Sequence, residues 1–536
     1  MMQGAGRAGV HFIEKVEDAL NARFPFGGGL GLGHEPGRRG AWRLGRGGAR
    51  FCHTENINVP RRKLLLIAAA LAAFGLSLLG SFHFDDYSLL TGNVWRTLST
   101  RPVTALTFWF SVAAGDRNPA DYHAINLALH VAAVLLLYDA LRRVIGERAA
   151  FIGAAIFATH PIQAEAVNYV FERASELDTL LCLAALTAWL RGARWWAVAW
   201  FAAALGAKQE CVAFPIFLAL LSISRFKRIE HRKPTAVMLA LSIASGVTVM
   251  LVAQRTPGSQ AGAQAGIGPA SYFLTQGPVI WRYFRLLVIP WGFNVDPQIA
   301  VAPVWTGILA WVALIAAAAI ATRRFFGARA GFWFICGLIL LLPSSSIFPA
   351  ADLAADRRMY LPMIAFAACA GILLQGMRPA IVAAVALVLI GLSVQRTLVW
   401  RTEQSLWTDA VEKSPDKVRP KIQLARASDP ARALQLLEQA QSLAPNDAAV
   451  HTEEGRVYLN LGKPAQALAA FGRALALEPN NADALNNRGA ALLALGQRDA
   501  ARQDFERALK ANPCQAQARE NLLRLGVTTQ APATCE

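Results

Sequence analysis

The sequence predicts an all-α protein in which a polytopic transmembrane helix bundle is followed by a solenoid of helical repeats. Hydrophobic residues make up 54% of the 536-residue chain and charged residues only 17%, whereas a soluble protein carries roughly a quarter charged residues. Apolar runs follow one another from residue 64 onward, and the last part of the chain repeats with a fixed period. This composition excludes a disordered chain and a small disulfide-bonded domain.

The net charge of +17 comes from 53 Lys and Arg against 36 Asp and Glu. It suits either a nucleic-acid binder or a membrane protein whose loop charges set its orientation. Residues 1–63 hold 11 basic and 5 acidic residues, residues 64–401 hold 26 and 15, and residues 402–536 hold 16 and 16. The loops of the middle section therefore decide between the two classes.

About 11 spans are predicted in the middle section, each close to or slightly shorter than the length that crosses a hydrocarbon core of ~30 Å. They lie near 64–82, 123–141, 149–163, 176–190, 195–207, 211–224, 235–253, 304–322, 331–344, 359–376 and 379–395. With the Arg61–Lys63 cluster inside, the inner connections hold 14 basic and 3 acidic residues and the outer ones 12 of each. This is the positive-inside pattern, so we expect no nucleic-acid partner. An odd number of spans places the C-terminal domain outside.

Four sections follow from these patterns. Residues 1–63 are expected to form a basic, poorly ordered cytoplasmic leader with one amphipathic stretch around Phe12–Phe24. The transmembrane domain covers 64–400, the repeat domain 401–526, and a tail 527–536. The Ala- and Arg-rich composition favours a bacterial inner membrane, with the N-terminus cytoplasmic and the repeats periplasmic.

The repeat domain has a period of 34 residues. Small residues and a proline recur at this spacing: Gly455 corresponds to Gly489, Gly462 to Gly496 and Pro479 to Pro513. This pattern is typical of tetratricopeptide repeats, in which two antiparallel helices form each unit. Units are predicted at 448–481 and 482–515, with a shortened unit at 416–447, a half unit at 403–415 and a capping helix near 515–525. Such arrays hold partners and carry no chemistry of their own.

The cysteines show no metal-ligand spacing. Four of them lie inside apolar spans, where small packing residues are expected; they are Cys182, Cys211, Cys336 and Cys369. Cys514 and Cys535 lie in the outward-facing part of the chain, where a disulfide between them is possible in an oxidising compartment.

Two adjacent carboxylates, Asp85 and Asp86, directly follow the first span. Neighbouring carboxylates at a membrane surface repel each other and lose hydration, which raises the pKa of one of them and suits it to be a general base. A solvated loop that merely ends the span is the alternative.

The second outer loop begins at His160 and has polar residues three or four positions apart. They are Glu165, Asn168, Glu172 and Glu176. On one helix these residues share a face, which can hydrogen-bond sugar hydroxyls or support Arg173. A plain surface helix is the alternative.

Further charged and aromatic residues gather on the same outer face. They are Lys208 and Glu210 between two short spans, Arg282 and Asp296 in the stretch 278–296, and Arg357, Arg358 and Tyr360 after Asp352 in the last outer loop. Guanidinium groups bind phosphate oxygens bidentately, so the Arg357–Arg358 pair suits a lipid-linked phosphate. An interfacial belt of aromatic and snorkelling side chains is the alternative.

Several blocks, taken in order, resemble the transmembrane-and-tetratricopeptide O-mannosyltransferase family within the GT-C membrane glycosyltransferases. The blocks are FDDY (84–87), RPVTALTFWF (101–110), YHAINLALH (122–130), HPIQAEAVNYVFERASE (160–176), WRYFRLLVIPWGFNVD (281–296), DRRMYLP (356–362) and WRTEQSLWTDAVEKSP (400–415). The resemblance implies a GT-C-like bundle and an inverting transferase that moves a sugar, with mannose favoured, from a polyprenyl-phosphate donor. The acceptor would be a hydroxyl outside the membrane, that of a protein Ser or Thr recruited by the repeats.

The resemblance also implies roles for individual residues. Asp85 or Asp86 would be the base, and the donor phosphate would be bound by Arg357 with Arg358, Lys208 or Arg282. Substrate-binding candidates are His160, Glu165, Arg173, Glu176, Glu210, Asp296 and Tyr360. No metal site is assigned, although a divalent metal remains possible. Glu172-Arg173-Ala174-Ser175 stands where the family has Gly-Arg-Ala-Asp, so Glu172 or Glu176 would have to replace the usual acid.

Two other functions remain open at this stage. One is a non-enzymatic membrane scaffold whose repeats hold a partner, and the other is a lipid-linked glycan flippase or ligase. Eleven spans and polar outer loops exceed what an anchor requires. A flippase would place ionisable residues along the middle of the bundle, whereas here they gather at one mouth.

Overall fold

The fold is described from a computed structural model of the chain. The described residues are 55–530 apart from 92–93, 95–98, 114–116, 227–231, 256–261, 263–264, 321–322, 324–326 and 347. They contain helices and no β-strand, so the predicted all-α class is confirmed. The predicted leader up to residue 54, with its amphipathic stretch at Phe12–Phe24, lies outside the described residues.

The bundle is built from helices of very different lengths. They are α1 (Glu55–Phe74), α2 (Asp86–Thr91), α3 (Pro102–Ala113), α4 (Pro119–Ile145), α5 (Glu147–Thr159), α6 (Ala164–Asn168), α7 (Arg173–Leu190), α8 (Arg194–Ala207), α9 (Phe214–Phe226), α10 (Arg232–Arg255), α11 (Pro269–Val288), α12 (Val304–Ile320), α13 (Gly327–Leu341), α14 (Met363–Leu374) and α15 (Pro379–Val399). Short 3-10 helices join several of them, at Gly75–Leu79, Pro161–Gln163, Val170–Glu172, Gln209–Ala213 and Asp356–Met359.

Four helical segments among the described residues are long and apolar enough to cross a membrane. They are Val59–Leu79, Pro119–Ile145, Arg232–Gln254 and Pro379–Val399. Five shorter apolar helices accompany them, including Val304–Ile320 and Met363–Leu374. The chain is therefore a multi-pass membrane protein, while the number of 11 spans stays a prediction.

The second outer loop differs from the single helix that the spacing suggested. Helix α6 ends at Asn168, and Tyr169 is extended, with φ −92° and ψ 113°. A 3-10 turn at Val170–Glu172 follows before α7 begins. The expectation of one polar helix face from Glu165 to Glu176 is therefore wrong, because the backbone turns at Tyr169.

Helices α5 and α14 approach each other closely through glycines. A Cβ atom on Gly371 would lie 2.2 Å from the carbonyl oxygen of Ala149, and one on Gly153 would lie 2.7 Å from that of Ala367. Small residues at such contacts let membrane helices pack backbone to backbone. Since α14 begins just after the 3-10 helix at Asp356–Met359, this contact fixes the position of the last outer loop.

The repeat domain consists of paired helices that fall in the predicted units. They are α16 (Glu403–Lys413), α17 (Val418–Arg426), α18 (Pro430–Leu443), α19 (Ala448–Asn460), α20 (Pro464–Leu477), α21 (Ala482–Ala494), α22 (Arg498–Ala511) and α23 (Ala516–Arg524). Gly455 leaves space for the ring of Phe471, and Gly489 leaves space for the ring of Phe505. In each case a Cβ atom added to the glycine would lie 2.6 Å from the ring. The solenoid predicted from the 34-residue period is thus present. Cys514 is disulfide-bonded, and Cys535 lies outside the described residues.

Substitution of Gly371 by Ala should destabilise the bundle by about 1–3 kcal/mol, because α5 and α14 must separate to admit the methyl group. Thermal unfolding in detergent micelles measures this. Gly391→Ala is the matched control in α15, where an added Cβ meets no atom within 4 Å. Equal melting temperatures for the two variants would contradict the proposed packing.

Candidate functional site

The Asp85–Asp86 turn lies at the end of the first span and is held by aromatic packing. Phe84 has a positive φ of 45°, a conformation that a bulky residue adopts only when its surroundings enforce it. Its ring packs edge-on against Tyr169 and Trp407, with centroids 5.3 and 5.2 Å away. Trp407 belongs to α16, so the repeat domain helps to hold this turn.

Asp86 is buried, with 1% of its surface exposed. Its carboxylate accepts the backbone N–H of His83 at 2.9 Å and that of Phe171 at 2.7 Å. Burial raises the pKa of Asp86 to about 8, although these backbone donors oppose the shift. Asp86 therefore ties the turn to the segment 169–172, and its oxygens face the protein.

Asp85 is exposed. The hydroxyl of Tyr169 donates to its carboxylate at 3.1 Å, and the backbone N–H of Asp85 donates to that hydroxyl oxygen at 3.2 Å. A base must be reachable by the group whose proton it takes. Of the two neighbouring carboxylates, Asp85 meets this requirement.

Glu172 stands at the centre of a buried charge cluster. One carboxylate oxygen accepts from Lys208 Nζ at 2.9 Å and from the Ser175 hydroxyl at 2.5 Å. The other oxygen lies 3.1 Å from Arg357 Nε. Lys208 also donates to Ser175 at 2.7 Å and lies 3.2 Å from Glu210. A single carboxylate thus brings two cations from distant parts of the chain together.

The charge of Glu172 is stabilised by these cations. Burial raises its pKa, but the charges of Lys208 and Arg357 outweigh burial and lower the pKa to about 2. Arg101 adds to this effect. The Arg101 segment is bonded to the Lys208 segment, because the Thr104 hydroxyl donates to the Ala207 carbonyl at 2.9 Å. Arg101, Lys208 and Arg357 are called the cation cluster below.

Of the two cations paired with Glu172, Arg357 is the more exposed, with 24% of its side chain exposed against 6% for Lys208. Glu165 accepts from its guanidinium at 2.5 Å and from its backbone N–H at 3.1 Å. Asp352 lies 3.5 Å away on another side. Burial raises the pKa of Glu165 even though Arg357 opposes that shift. The surroundings of Arg357 therefore place one accessible guanidinium among three carboxylates.

Two other predicted phosphate ligands have partners of their own. Arg282 is paired with Asp356 at 2.7 Å. Arg358 is buried and donates to the backbone carbonyl groups of Asp352, at 2.6 Å, and Leu353, at 3.3 Å. Arg358 therefore shapes the loop that carries Arg357.

Arg173 is fully buried and is held by polar and aromatic groups of neighbouring helices. It donates to Asn126 and Ser111, each at 3.0 Å, and its guanidinium stacks 4.1 Å above the Phe108 ring. These contacts fix the start of α7 against α3 and α4.

Three more predicted residues lie in the interior. His160 caps the Pro161–Gln163 turn by accepting the N–H of Ile162 at 3.1 Å. The hydroxyl of Tyr360 lies 2.8 Å from Nδ1 of His130. Glu176 is fully buried, and neither carboxylate oxygen has a hydrogen-bond partner within the described part of the chain.

Asp296 lies at the junction with the repeats. It is 2% exposed and forms ion pairs with Lys417, and with Arg419 Nε at 2.8 Å. Arg419 reaches on to Asp352 at 3.0 Å. Asp296 thus joins the last outer loop to the repeat domain.

Several members of this site were missed as site residues by the sequence interpretation. The departure from Gly-Arg-Ala-Asp had already named Glu172 as a candidate for the missing acid, but it gave no role to Ser175. Arg101 belongs to the RPVTALTFWF block (101–110), but no role was assigned to it from the sequence. Nothing in the sequence indicated that Tyr169 would contact Asp85.

The fold also brings Asp178, Cys182 and Cys211 together. Their ligand atoms lie within 4.8 Å of one another, and all three residues are buried. Sequence spacing could not indicate this group, because Cys211 comes from a different segment. Such a set of one carboxylate and two thiols could hold a thiophilic cation.

Comparison with known proteins identifies relatives that match parts of this chain, two of them over two thirds of it or more. A protein O-mannosyl-transferase of Caenorhabditis elegans is 25% identical over an alignment of 416 residues, which covers 67% of this chain and 59% of that protein. One of Drosophila melanogaster is 25% identical over 75% of this chain and 58% of that protein. A human one is 32% identical over an alignment of 153 residues, which covers 24% of this chain and 17% of that protein. The resemblance to the transmembrane-and-tetratricopeptide O-mannosyltransferases is confirmed.

The chain spans less than two thirds of the length of these O-mannosyltransferase relatives. A family model described as a tetratricopeptide repeat matches residues 452–516. Among solved structures, ArnT from Cupriavidus metallidurans bound to undecaprenyl phosphate has a TM-score of 0.35 and 14% identity, with 87% of this chain and 81% of that chain covered.

Glu172→Gln should cost about 3 kcal/mol, because buried Lys208 loses its principal counter-charge. The folded pKa of Glu172 (about 2) lies below its unaltered value of 4.5. The stabilisation is therefore present above about pH 4.5 and is lost as the pH falls toward 2. Thermal unfolding of both proteins in detergent between pH 3 and 7 should show the gap closing toward low pH.

The matched control for Glu172→Gln is Glu506→Gln, which breaks the exposed pair with Arg502 on α22. An exposed pair is worth at most about 1 kcal/mol, so this variant should melt like the parent protein. A Glu172→Gln variant as stable as this control would show that the cluster carries no such energy.

Proposed function

We propose that this chain is an inverting glycosyltransferase that moves a sugar, with mannose favoured, from a polyprenyl-phosphate donor to a hydroxyl acceptor. The acceptor is a protein Ser or Thr on the outer face of the membrane, and the tetratricopeptide repeats recruit it. The relatives' protein O-mannosyl-transferase names support the reaction class, and the geometry of the site supports the division of roles.

One observation carries the proposal. The segment 169–172 holds the exposed carboxylate of Asp85 at one end, through the Tyr169 hydroxyl, and the cations Lys208 and Arg357 at the other, through Glu172. Transfer from a lipid phosphate needs a base for the acceptor and positive charge for the leaving group. Four consecutive residues bring these two requirements together.

Asp85 is the proposed base. As the acceptor oxygen forms a bond to the anomeric carbon, Asp85 takes the hydroxyl proton, and the bond from that carbon to the phosphate oxygen breaks. Attack from the face opposite the phosphate inverts the configuration. The Tyr169 hydroxyl orients the Asp85 carboxylate. Asp86 stabilises the turn through its hydrogen bonds to the backbone N–H groups of His83 and Phe171.

Arg357 is the proposed main ligand of the departing phosphate, assisted by Arg101 and by the charge of Lys208. The bond electrons pass to the phosphate oxygen, so negative charge grows where the cation cluster lies. A lipid phosphate is a good leaving group, which makes a protein acid less necessary than in glycoside hydrolysis. Glu165 and Arg282 position the loop of Arg357.

The remaining predicted site residues receive supporting roles in this proposal. Arg358 and Asp296 shape the last outer loop, Arg173 and His160 fix the helices around the segment 169–172, and Glu210 accompanies Lys208. Tyr360 and Glu176 lie behind the site. A divalent metal stays a possible cofactor, with the Asp178 group as one place to look for it.

The location follows from the loop charges. The positive-inside pattern supports a cytoplasmic N-terminus and external repeats, and composition supports a bacterial inner membrane, although the relatives named above come from animals. A non-enzymatic scaffold would gain nothing from an exposed Asp85 beside a strained backbone at Phe84. A flippase or ligase acting on lipid-linked glycans would be distinguished from the proposed transferase by its product.

Asp85→Asn should lower kcat for transfer by roughly 10²–10⁴-fold, because the acceptor proton loses its base. The assay uses the purified protein in lipid nanodiscs, polyprenyl-phosphate mannose and Ser/Thr peptides from envelope proteins, with the sugar detected by mass spectrometry. Asp499→Asn, an exposed residue on α22, is the control. Asp86→Asn should act chiefly on stability, since its oxygens bind backbone groups.

If the Asp85→Asn variant transfers sugar with the kcat of the wild-type protein, Asp85 is not the base. Loss of activity in Asp86→Asn alone, with an unchanged melting temperature, would move that role to Asp86.

A further inference from the structure

Arg419 connects the repeat domain to the charge cluster. It lies on α17, the first helix of the first full pair of repeat helices. Its Nε lies 2.8 Å from one oxygen of Asp296, and a terminal nitrogen lies 3.0 Å from Oδ1 of Asp352. The other oxygen of Asp352 lies 3.5 Å from Arg357. Asp352 therefore lies between Arg419 of the repeats and the partly exposed Arg357 of the site.

Cations and carboxylates alternate along this line. In order they are Lys208, Glu172, Arg357, Asp352 and Arg419, with Glu165 attached to Arg357. Glu172 and Asp352 are each shared with a second cation, whereas Glu165 pairs with Arg357 alone among the described residues. The positive charge that Arg357 can offer depends on this sharing.

The backbone of the Asp352 loop has independent supports. Arg358 donates to the Asp352 carbonyl at 2.6 Å, and Gln276 donates to the Leu353 carbonyl at 3.0 Å. Loss of Arg419 would therefore leave the loop backbone in place. It would change the direction of one carboxylate and the local charge.

We propose that Arg419 is a positioning residue that holds one oxygen of the Asp352 carboxylate, so that Asp352 pairs with Arg357 only at the longer distance of 3.5 Å and Arg357 keeps more of its charge for a lipid phosphate. The inference rests on the proposed function, since it concerns the same phosphate site. It assigns to the repeat domain, beyond acceptor recruitment, a direct electrostatic part in donor binding.

Of the two arginines that pair with Asp352, Arg357 alone is left when Arg419 is removed. The Asp352 carboxylate then turns toward Arg357. The local charge also becomes more negative by one unit, which disfavours an anionic ligand. Asp296 still forms its ion pair with Lys417, so its buried carboxylate remains paired with a cation. The expected defect is weaker donor binding, with the chemical step little changed.

Two measurements test the inference with full-length protein in nanodiscs. One is the Kd for polyprenyl phosphate without a sugar, and the other is the split between KM and kcat in mannose transfer. Arg419→Ala should raise the Kd and the donor KM about five- to tenfold and leave kcat within about twofold. The pairs are partly exposed, with 45% of the Arg419 side chain accessible, so a larger effect is not expected.

The double variant Arg419→Ala/Asp352→Asn gives the sharpest outcome. Removing the carboxylate removes the group that would neutralise Arg357, so binding should return to within about twofold of the wild-type value. A merely structural role for Arg419 predicts that the second substitution leaves the defect in place or worsens it. Arg419→Lys, which keeps the charge, should recover most of the affinity.

Lys417→Ala is the matched control, because it removes one positive charge from the same junction without a contact to Asp352. It should change the Kd less than twofold, and a loss equal to that of Arg419→Ala would overturn the inference. An unchanged Kd in Arg419→Ala would overturn it as well. If the wild-type protein binds polyprenyl phosphate in an Arg419-dependent way but transfers no sugar, the proposed function fails and the inference stands.

Discussion

The carboxylate of Glu172, buried between Lys208 and Arg357, is the interaction on which the site depends. Each of these cations would be costly to bury alone, and their attraction to one shared carboxylate offsets that cost. The three residues come from the start of α7, the end of α8 and the last outer loop, so one ion cluster sets the relative positions of three distant segments. The same 3-10 turn carries the Phe171 N–H that Asp86 binds, which couples the carboxylate turn to the cations.

The repeat domain is integrated into this arrangement. Trp407 packs against Phe84 in the strained turn before Asp85, and Arg419 pairs with Asp352 beside Arg357. Both ends of the proposed site therefore touch the repeats. A protein that only needed to recruit an acceptor could have carried its repeats on a linker, whereas here they pack against the groups proposed to perform the chemistry.

The large features of the fold were predictable because they depend on periodicity and composition. The 34-residue period placed α19 to α22 within their units, and apolar runs placed the long helices. The polar helix face from Glu165 to Glu176 was wrong, because spacing alone could not show that the backbone turns at Tyr169. Individual roles within the site depend on contacts between distant residues, such as Asp85 with Tyr169, which no local pattern encodes. The sequence showed which charged residues lie in these loops, but it did not show which residues they contact.

A lipid phosphate and an acceptor are proposed to meet across the segment 169–172. The most direct measurement is an electron cryomicroscopy structure of the full chain in nanodiscs with polyprenyl phosphate bound. The account predicts phosphate density within hydrogen-bonding distance of Arg357, with the Asp85 carboxylate facing it across a space that fits one sugar ring. Phosphate bound away from the cation cluster, or Asp85 separated from it by protein, would contradict the account.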